Sequence, residues 1–390
     1  METRAAQIRQ FVNQRNPEAL DLLKRIVEIE SPTSHPDGVN QVGEELVDRI
    51  TPLGFEVQRV PSSIYGDHIL SEITISGTPR ILFYGHMDTV YPVGSSWPFR
   101  IQGKRAYGPG VIDMKSGLLT LIFALEALKE TGGIPLSVRA FFNSDEEPGS
   151  PDSKAHIPDL IKGTDYACVM EPAEPDGIII NRRKGIGRYF LTVRGKAAHS
   201  GQQPESGINA NREMAHLIIA AENLTDNEVG TTIIAGKFHG GTASHIVSDY
   251  AHAEIDARAW DKEELERIEK GMFALEKSNR VIGTKIEVSG GFHRAPMFQL
   301  PGAHILQEAL AIAGEINHFD IKFGGSGAAS DGNNLVAAGV PTIDGLGPVG
   351  GRAHSGDEYM EVQSFSERTI LLATFLVVMA EKWERGQLSD

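Results

Sequence analysis

The chain has 390 residues, 41% of them apolar and 23% charged, the profile of an ordinary globular protein long enough for about two domains. Its net charge of −15 offers no basic footprint for nucleic acid, and its one cysteine, Cys168 in the apolar run YACVM, excludes an intrachain disulfide and a thiolate zinc cluster. The start, METRAAQIRQFVNQ, lacks the apolar core of a signal peptide, and no stretch reads as able to span a bilayer, so a cytoplasmic protein without a membrane partner is expected.

Asn16-Pro17-Glu18 reads as the start of a helix carrying Leu20, Leu23, Ile26 and Val27, stopped by Ser31-Pro32. Strands are expected near 55–60, 69–75 and 80–84, then a helix over 114–129 and strands over 136–143 and 166–170. After about residue 182 the texture changes. A strand (GRYFLTVRG), a helix over 207–223, strands at TTIIAGKF and 246–260, a helix over 261–278 and the strand TKIEVSG give the order βαββαβ, that of a ferredoxin-like unit. The α/β pattern resumes with helices near 303–314 and 363–384 and the segment VPTIDGLGP. The fold class expected is α/β: a mixed, largely parallel sheet flanked by helices over 1–182 plus 293–390, with an inserted ferredoxin-like lid or dimerisation domain over 183–292.

YGHMDTVYP raises the first chemical question, because His86 and Asp88 are two apart at a strand end and would share a face. A carboxylate beside an imidazole can accept the second ring N–H and improve the ring as a metal ligand. Further polar groups follow predicted strands or occupy loops of the same domain: Asp113 in AYGPGVIDMKSG, Glu146 and Glu147 in FFNSDEEPG, Glu171 in VMEP and His354 in GRAHSGDE. Residues distant in sequence converge at the carboxyl ends of strands in open α/β sheets. Two imidazoles and three carboxylates suit two zinc ions, with cobalt or manganese as alternatives, bridged by one carboxylate. The second of the adjacent glutamates can then serve as a general base. Each group also has a bland explanation: Asp113 as a helix N-cap, Glu146-Glu147 as a solvated acidic loop, His354 as a loop histidine. GGSGAASDGN over 324–333 lacks the Lys-Ser/Thr ending of a phosphate loop and reads as a substrate-lining nest.

With GHMDTV, YGPGVIDMKSG, NSDEEPGS, MEP, GKAAHSGQQPESGINA and AHSGDE in this order, nearly the whole chain resembles the dizinc exopeptidase and amidohydrolase family of glutamate carboxypeptidase, aminoacylase, acetylornithine deacetylase and succinyl-diaminopimelate desuccinylase. The bacterial glutamate carboxypeptidase branch is the nearest in flavour. The resemblance implies that Asp113 bridges two zinc ions, that His86 and Glu171 complete one and Glu147 and His354 the other. It implies Glu146 as the base for the attacking water, Asp88 as the support of His86, and a cis Asp113-Met114 peptide. It further implies a homodimer in which His199 polarises the scissile carbonyl in the partner's site. Arg258 and Arg294 would hold the substrate carboxylate, and His245 stands where asparagine is usual in that branch, leaving the substrate side chain open. Arg183 and Lys184, in RRKG, read as hinge charges or as contacts to an acidic substrate group. The activity implied is hydrolysis of an amide bond in a small peptide or N-acyl-amino acid. A deacylase or desuccinylase of the same family is the alternative, a dimetal phosphoesterase a chemical one, and a non-catalytic metal-dependent dimer the reading of another class.

Overall fold

A computed structural model describes residues 1–95 and 97–388. The chain divides into two compact units, Met1–Asn181 with Gln299–Ser326 and Ser330–Asp390, and Arg182–Phe298 with Gly327–Ala329.

The first unit is built on a six-stranded sheet in the order Glu56–Val60, His68–Ile73, Ser137–Asn143, Arg80–His86, Tyr166–Val169, Thr342–Ile343. The two pairings nearest Glu56–Val60 are antiparallel and the other three parallel. Ser137–Asn143 is buried along its whole length and Arg80–His86 at all but its first residue, the continuous burial of strands covered on both faces. One face meets the helix Ser116–Glu130, buried from Ser116 to Leu128. Pro17 is not a helix start. The helix runs from Glu2 to Glu28 and contains it, because Ile8 and Val12 continue the buried face of Leu22, Leu23 and Ile26. Each such side chain contributes about 1.5–3 kcal/mol on burial, which offsets the roughly 3 kcal/mol cost of an interior proline. The helix Pro36–Ile50, hidden in sequence by its glycines and proline, buries Val39, Val42, Leu46 and Ile50. Val362–Glu384 corrects the expectation that no stretch could span a bilayer: it is long and apolar enough, yet 78% of its apolar window is buried. It packs against Glu2–Glu28, Ser116–Glu130 and Ala303–Asn317, and a helix enclosed on several sides is apolar around most of its circumference.

The second unit is a four-stranded antiparallel sheet in the order Thr232–Gly240, Tyr250–Ala259, Gly185–Arg194, Lys285–Arg294, with helices Ala210–Glu222 and Lys262–Ala274 on one face. This is the ferredoxin-like βαββαβ arrangement. Strict alternation makes it: Ala251, Ala253, Ile255, Ala257 and Ala259 point inward while the residues between them do not. Asp261 caps its helix by accepting the Glu264 N–H at 2.9 Å. Glu213 is fully buried, and its carboxylate accepts the backbone N–H groups of Arg280 and Val281 and the Thr284 hydroxyl.

Glu213→Ala strands these donors, and hydrogen bonds to a charged group contribute about 1.5–3 kcal/mol each. A loss of about 2–4 kcal/mol in this unit is expected, read as a lower urea midpoint and faster amide exchange at 280 and 281. Unchanged exchange there would mean the carboxylate is not what holds the turn.

Candidate metal centre

Three neighbouring parallel strands deliver polar residues from their carboxyl ends. Arg80–His86 ends on His86, Ser137–Asn143 runs into Glu146 and Glu147, and Tyr166–Val169 is followed by Glu171. Asp113 lies in the turn Val111–Lys115, before the helix Ser116–Glu130 rather than capping it, and its peptide bond to Met114 is cis. His354 sits in a surface turn with a left-handed backbone, φ 62°.

These residues meet. His86 Nε2 is 3.1 Å from Asp113 Oδ1 and 3.6 Å from Glu171 Oε1. His354 Nε2 is 3.1 Å from the other Asp113 oxygen, Oδ2, and 3.3 Å from Glu147 Oε2. Two donor sets therefore share one carboxylate. Donors placed tetrahedrally about 2.0–2.1 Å from zinc lie about 3.3 Å from one another, so these separations fit one ion in each set, bridged by Asp113. Glu146 is half-buried beside them, and its charge acts on Glu171.

The proton balance points the same way. Burial opposes charge on Asp113, but hydrogen bonds to His354 and His86 win and hold its carboxyl low. Hydrogen bonds to Asp113 and Glu147 push His354 up to about 10. Burial opposes charge on His86 too, and Asp113 and Asp88 overcome it, raising the ring well above its usual range. Burial, then the Asp113 charge, drives Glu171 well up. Burial takes Glu147 to about 7 despite its hydrogen bond to His354. Without metal, protons neutralise a pocket too acidic for its burial, and those protons occupy the ligand lone pairs.

Asp88 does more than its sequence reading implies. The strand stops at His86, so strand alternation does not place it. The His86 Nδ1 is 3.0 Å from the Asp88 backbone oxygen and 3.4 Å from its carboxylate. That carboxylate accepts the Thr33 hydroxyl at 2.6 Å and the N–H groups of Glu146 and Glu147 at 3.2 Å each. It orients the acidic loop as much as the ring. Sequence reasoning missed Glu358, although it lies within the AHSGDE motif. Fully buried, it accepts the N–H groups of Ile112 at 2.8 Å, Gly110 at 2.9 Å and Asp113 at 3.1 Å, and the Tyr91 hydroxyl. One side chain thus ties the His354 segment to the turn that presents Asp113. Lys115 is also buried, donates to the Ile29 carbonyl at 2.8 Å, and is pushed down to about 7 by burial.

The other expected site residues, His199, His245, Arg258 and Arg294, belong to the second unit. His199 is exposed, and its Nδ1 accepts the N–H groups of Gly201 and Gln202 at 3.1 and 3.2 Å, which puts the ring hydrogen on Nε2. His245 is exposed with its ring 6.4 Å from that of His199. Arg258 is not an open fork: Asp256 takes its Nε at 2.9 Å and the Gly327 carbonyl accepts from its Nη1 at 2.9 Å. Arg294 is buried. Arg183 is buried and donates to the Ala328 carbonyl at 3.2 Å, while Arg182 and Lys184 lie over the Trp260 ring at 4.8 and 5.4 Å.

A sequence profile described as Peptidase family M20/M25/M40 matches residues 82–377. Carboxypeptidase G2 of Pseudomonas sp. (strain RS-16) is 29% identical over 379 residues, covering 94% of this chain and 91% of that protein. Succinyl-diaminopimelate desuccinylase of Thioalkalivibrio sulfidiphilus (strain HL-EbGR7) is 26% identical over 372 residues, 89% of this chain and 94% of that one. Among solved structures, aminopeptidase PepT from Bacillus cereus ATCC 10987 superposes with a TM-score of 0.81 at 23% identity, covering 94% of this chain and 99% of that chain.

Zinc entering the metal-free pocket at pH 7 must displace the protons that His86, His354 and Glu171, and in part Glu147, hold there. Affinity is therefore expected to rise with pH, by about three decades per pH unit for the ion pair, below the range where His354 loses its proton. Competition with a chelator between pH 6 and 8 measures the slope, and a flat profile counts against these imidazoles as ligands.

Proposed function

The chain belongs to peptidase family M20/M25/M40, and on that premise we propose that it is a two-zinc exopeptidase that cleaves the amide bond of a peptidyl- or N-acyl-amino acid with a free carboxylate, in the manner of a glutamate carboxypeptidase. The observation that carries this reading is the pair of imidazoles on opposite oxygens of Asp113. His86, Asp113 and Glu171 would hold one ion and His354, Asp113 and Glu147 the other; when bound, such a pair supplies an activated water and a Lewis acid for the carbonyl. Glu146 takes a proton from the attacking water and delivers it to the leaving amine. Asp88 holds the backbone of Glu146 and Glu147, so the base and a ligand move together. His199 of the partner subunit, with its hydrogen on Nε2, donates to the developing oxyanion, a contribution of about 3 kcal/mol in comparable sites. Arg294 takes the substrate carboxylate, with Arg258 in support once it exchanges Asp256 for substrate, and His245, beside His199, contacts the substrate.

Desuccinylation is the second reading. Arg182 and Lys184 on Trp260, with the Arg258 charge acting on Lys184, favour a substrate carrying an additional carboxylate.

We further propose a homodimer. Thr232–Gly240 is an edge strand, and it exposes Ile234 and Phe238 at 54% and 51% while the helix Ala210–Glu222 exposes Ile219 at 61%. Light scattering is expected to give twice the chain mass for wild type and a smaller species for Ile219→Lys with Ile234→Lys. A wild-type monomer rejects the dimer.

Glu146→Gln is expected to keep the wild-type zinc content and lose a factor of about 10²–10⁴ in kcat. Amine release from N-acyl-amino acids and dipeptides, with carboxyl-blocked analogues beside them, reads the substrate class. Zinc-loaded protein that turns over none of them would leave the non-catalytic binder.

A further inference from the structure

A second group of metal-type donors lies in the first unit, apart from the pair just described. His68, at the start of the strand His68–Ile73, meets Asp152 and His156, and one donor atom from each lies within 4.8 Å of the other two. None of the three belongs to the catalytic set. Asp152 precedes and His156 ends the short helical turn Ser153–His156, so one tight turn carries both.

His68 is fully buried, and its Nε2 makes no hydrogen bond of good geometry. The acidic atom facing it, Asp152 Oδ2, is 3.4 Å away, too long for a good hydrogen bond but close to the donor spacing around a tetrahedral ion. The rings of His68 and His156 are inclined at 67° with centroids 5.5 Å apart, edge to face rather than stacked. The Asp152 side chain is 36% exposed, which leaves an entry path and an outward position for water. A satisfied core histidine would account for Nδ1, which accepts the Ser144 N–H at 3.2 Å, but not for the poorly bonded Nε2. An ion on Nε2 requires the ring hydrogen on Nδ1, where Ser144 Oγ, 3.0 Å away, can accept it at the expense of the Ser144 N–H contact.

We propose that His68, Asp152 and His156 form a third divalent-cation site, suited to zinc by its two imidazoles and one carboxylate, with water as the fourth ligand. Its place suggests its use. His68 touches Ser144, and Asp145 accepts the N–H groups of Asp152 at 2.6 Å and Ser153 at 3.1 Å. An ion here clamps both ends of the segment 144–152, which carries Glu146 and Glu147. It acts as a brace for the acidic loop, not as a participant in bond cleavage.

The protein is loaded with zinc, freed of excess by gel filtration, and its metal counted by mass spectrometry. Wild type is expected to retain one more equivalent than His156→Asn and Asp152→Asn, both variants keeping turnover within about 3-fold of wild type at saturating zinc. Amide exchange over 144–152 should slow on filling the third site in wild type and not in the variants. Equal zinc content in wild type and both variants overturns the proposal, whatever the fate of the catalytic pair. So does an extra equivalent that survives both substitutions, which would be adventitious. Asp152 is surface-accessible, so its variant remains informative if the substitution at His156 impairs folding.

Discussion

Everything at the centre turns on one carboxylate having two faces. Asp113 presents Oδ1 to His86 and Oδ2 to His354, each 3.1 Å away, and it can do so only because its backbone is held. The holding falls to Glu358, buried and accepting three backbone N–H groups of the turn. A carboxylate in such a place is costly unless its lone pairs are filled. Here the donors that satisfy it belong to the loop that must stay fixed.

The sheet supplies the other half of the geometry. Parallel strands end together at one edge, so His86, the Glu146–Glu147 loop and Glu171 arrive side by side without long excursions. The strands are buried on both faces, which gives the site a rigid floor. Burial also concentrates acid where water is scarce. Glu147 and Glu171 are both pushed up by it, and a pair of divalent ions is the natural way to relieve that charge.

The second unit follows different physics. Its sheet is antiparallel, covered by helices on one face, and its polar residues sit on strands and turns. Asp256 occupies the guanidinium of Arg258, which keeps that charge paired until something of the same chemistry competes for it. His199 has its tautomer set by two backbone donors of its own unit, which leaves the ring hydrogen on Nε2.

The amino-acid sequence by itself determined the chemistry of the donors and the type of most long elements. Alternation in 250–259, the apolar runs of the central strands and the order of polar motifs were all legible, because they are set by neighbours a few residues apart. Proline and glycine misled where burial overruled them, at Pro17 and in Pro36–Ile50, since tertiary packing outweighs local propensity by several side chains. Only the tertiary structure decided which oxygens of Asp113 face which ring, that Glu358 holds the turn, that Asp88 serves the acidic loop, and that His68 finds Asp152 and His156. Those partners are separated by tens to hundreds of residues, and a hydrogen bond of about 3 Å between them is decided by how the sheet and helices pack, which no local pattern records.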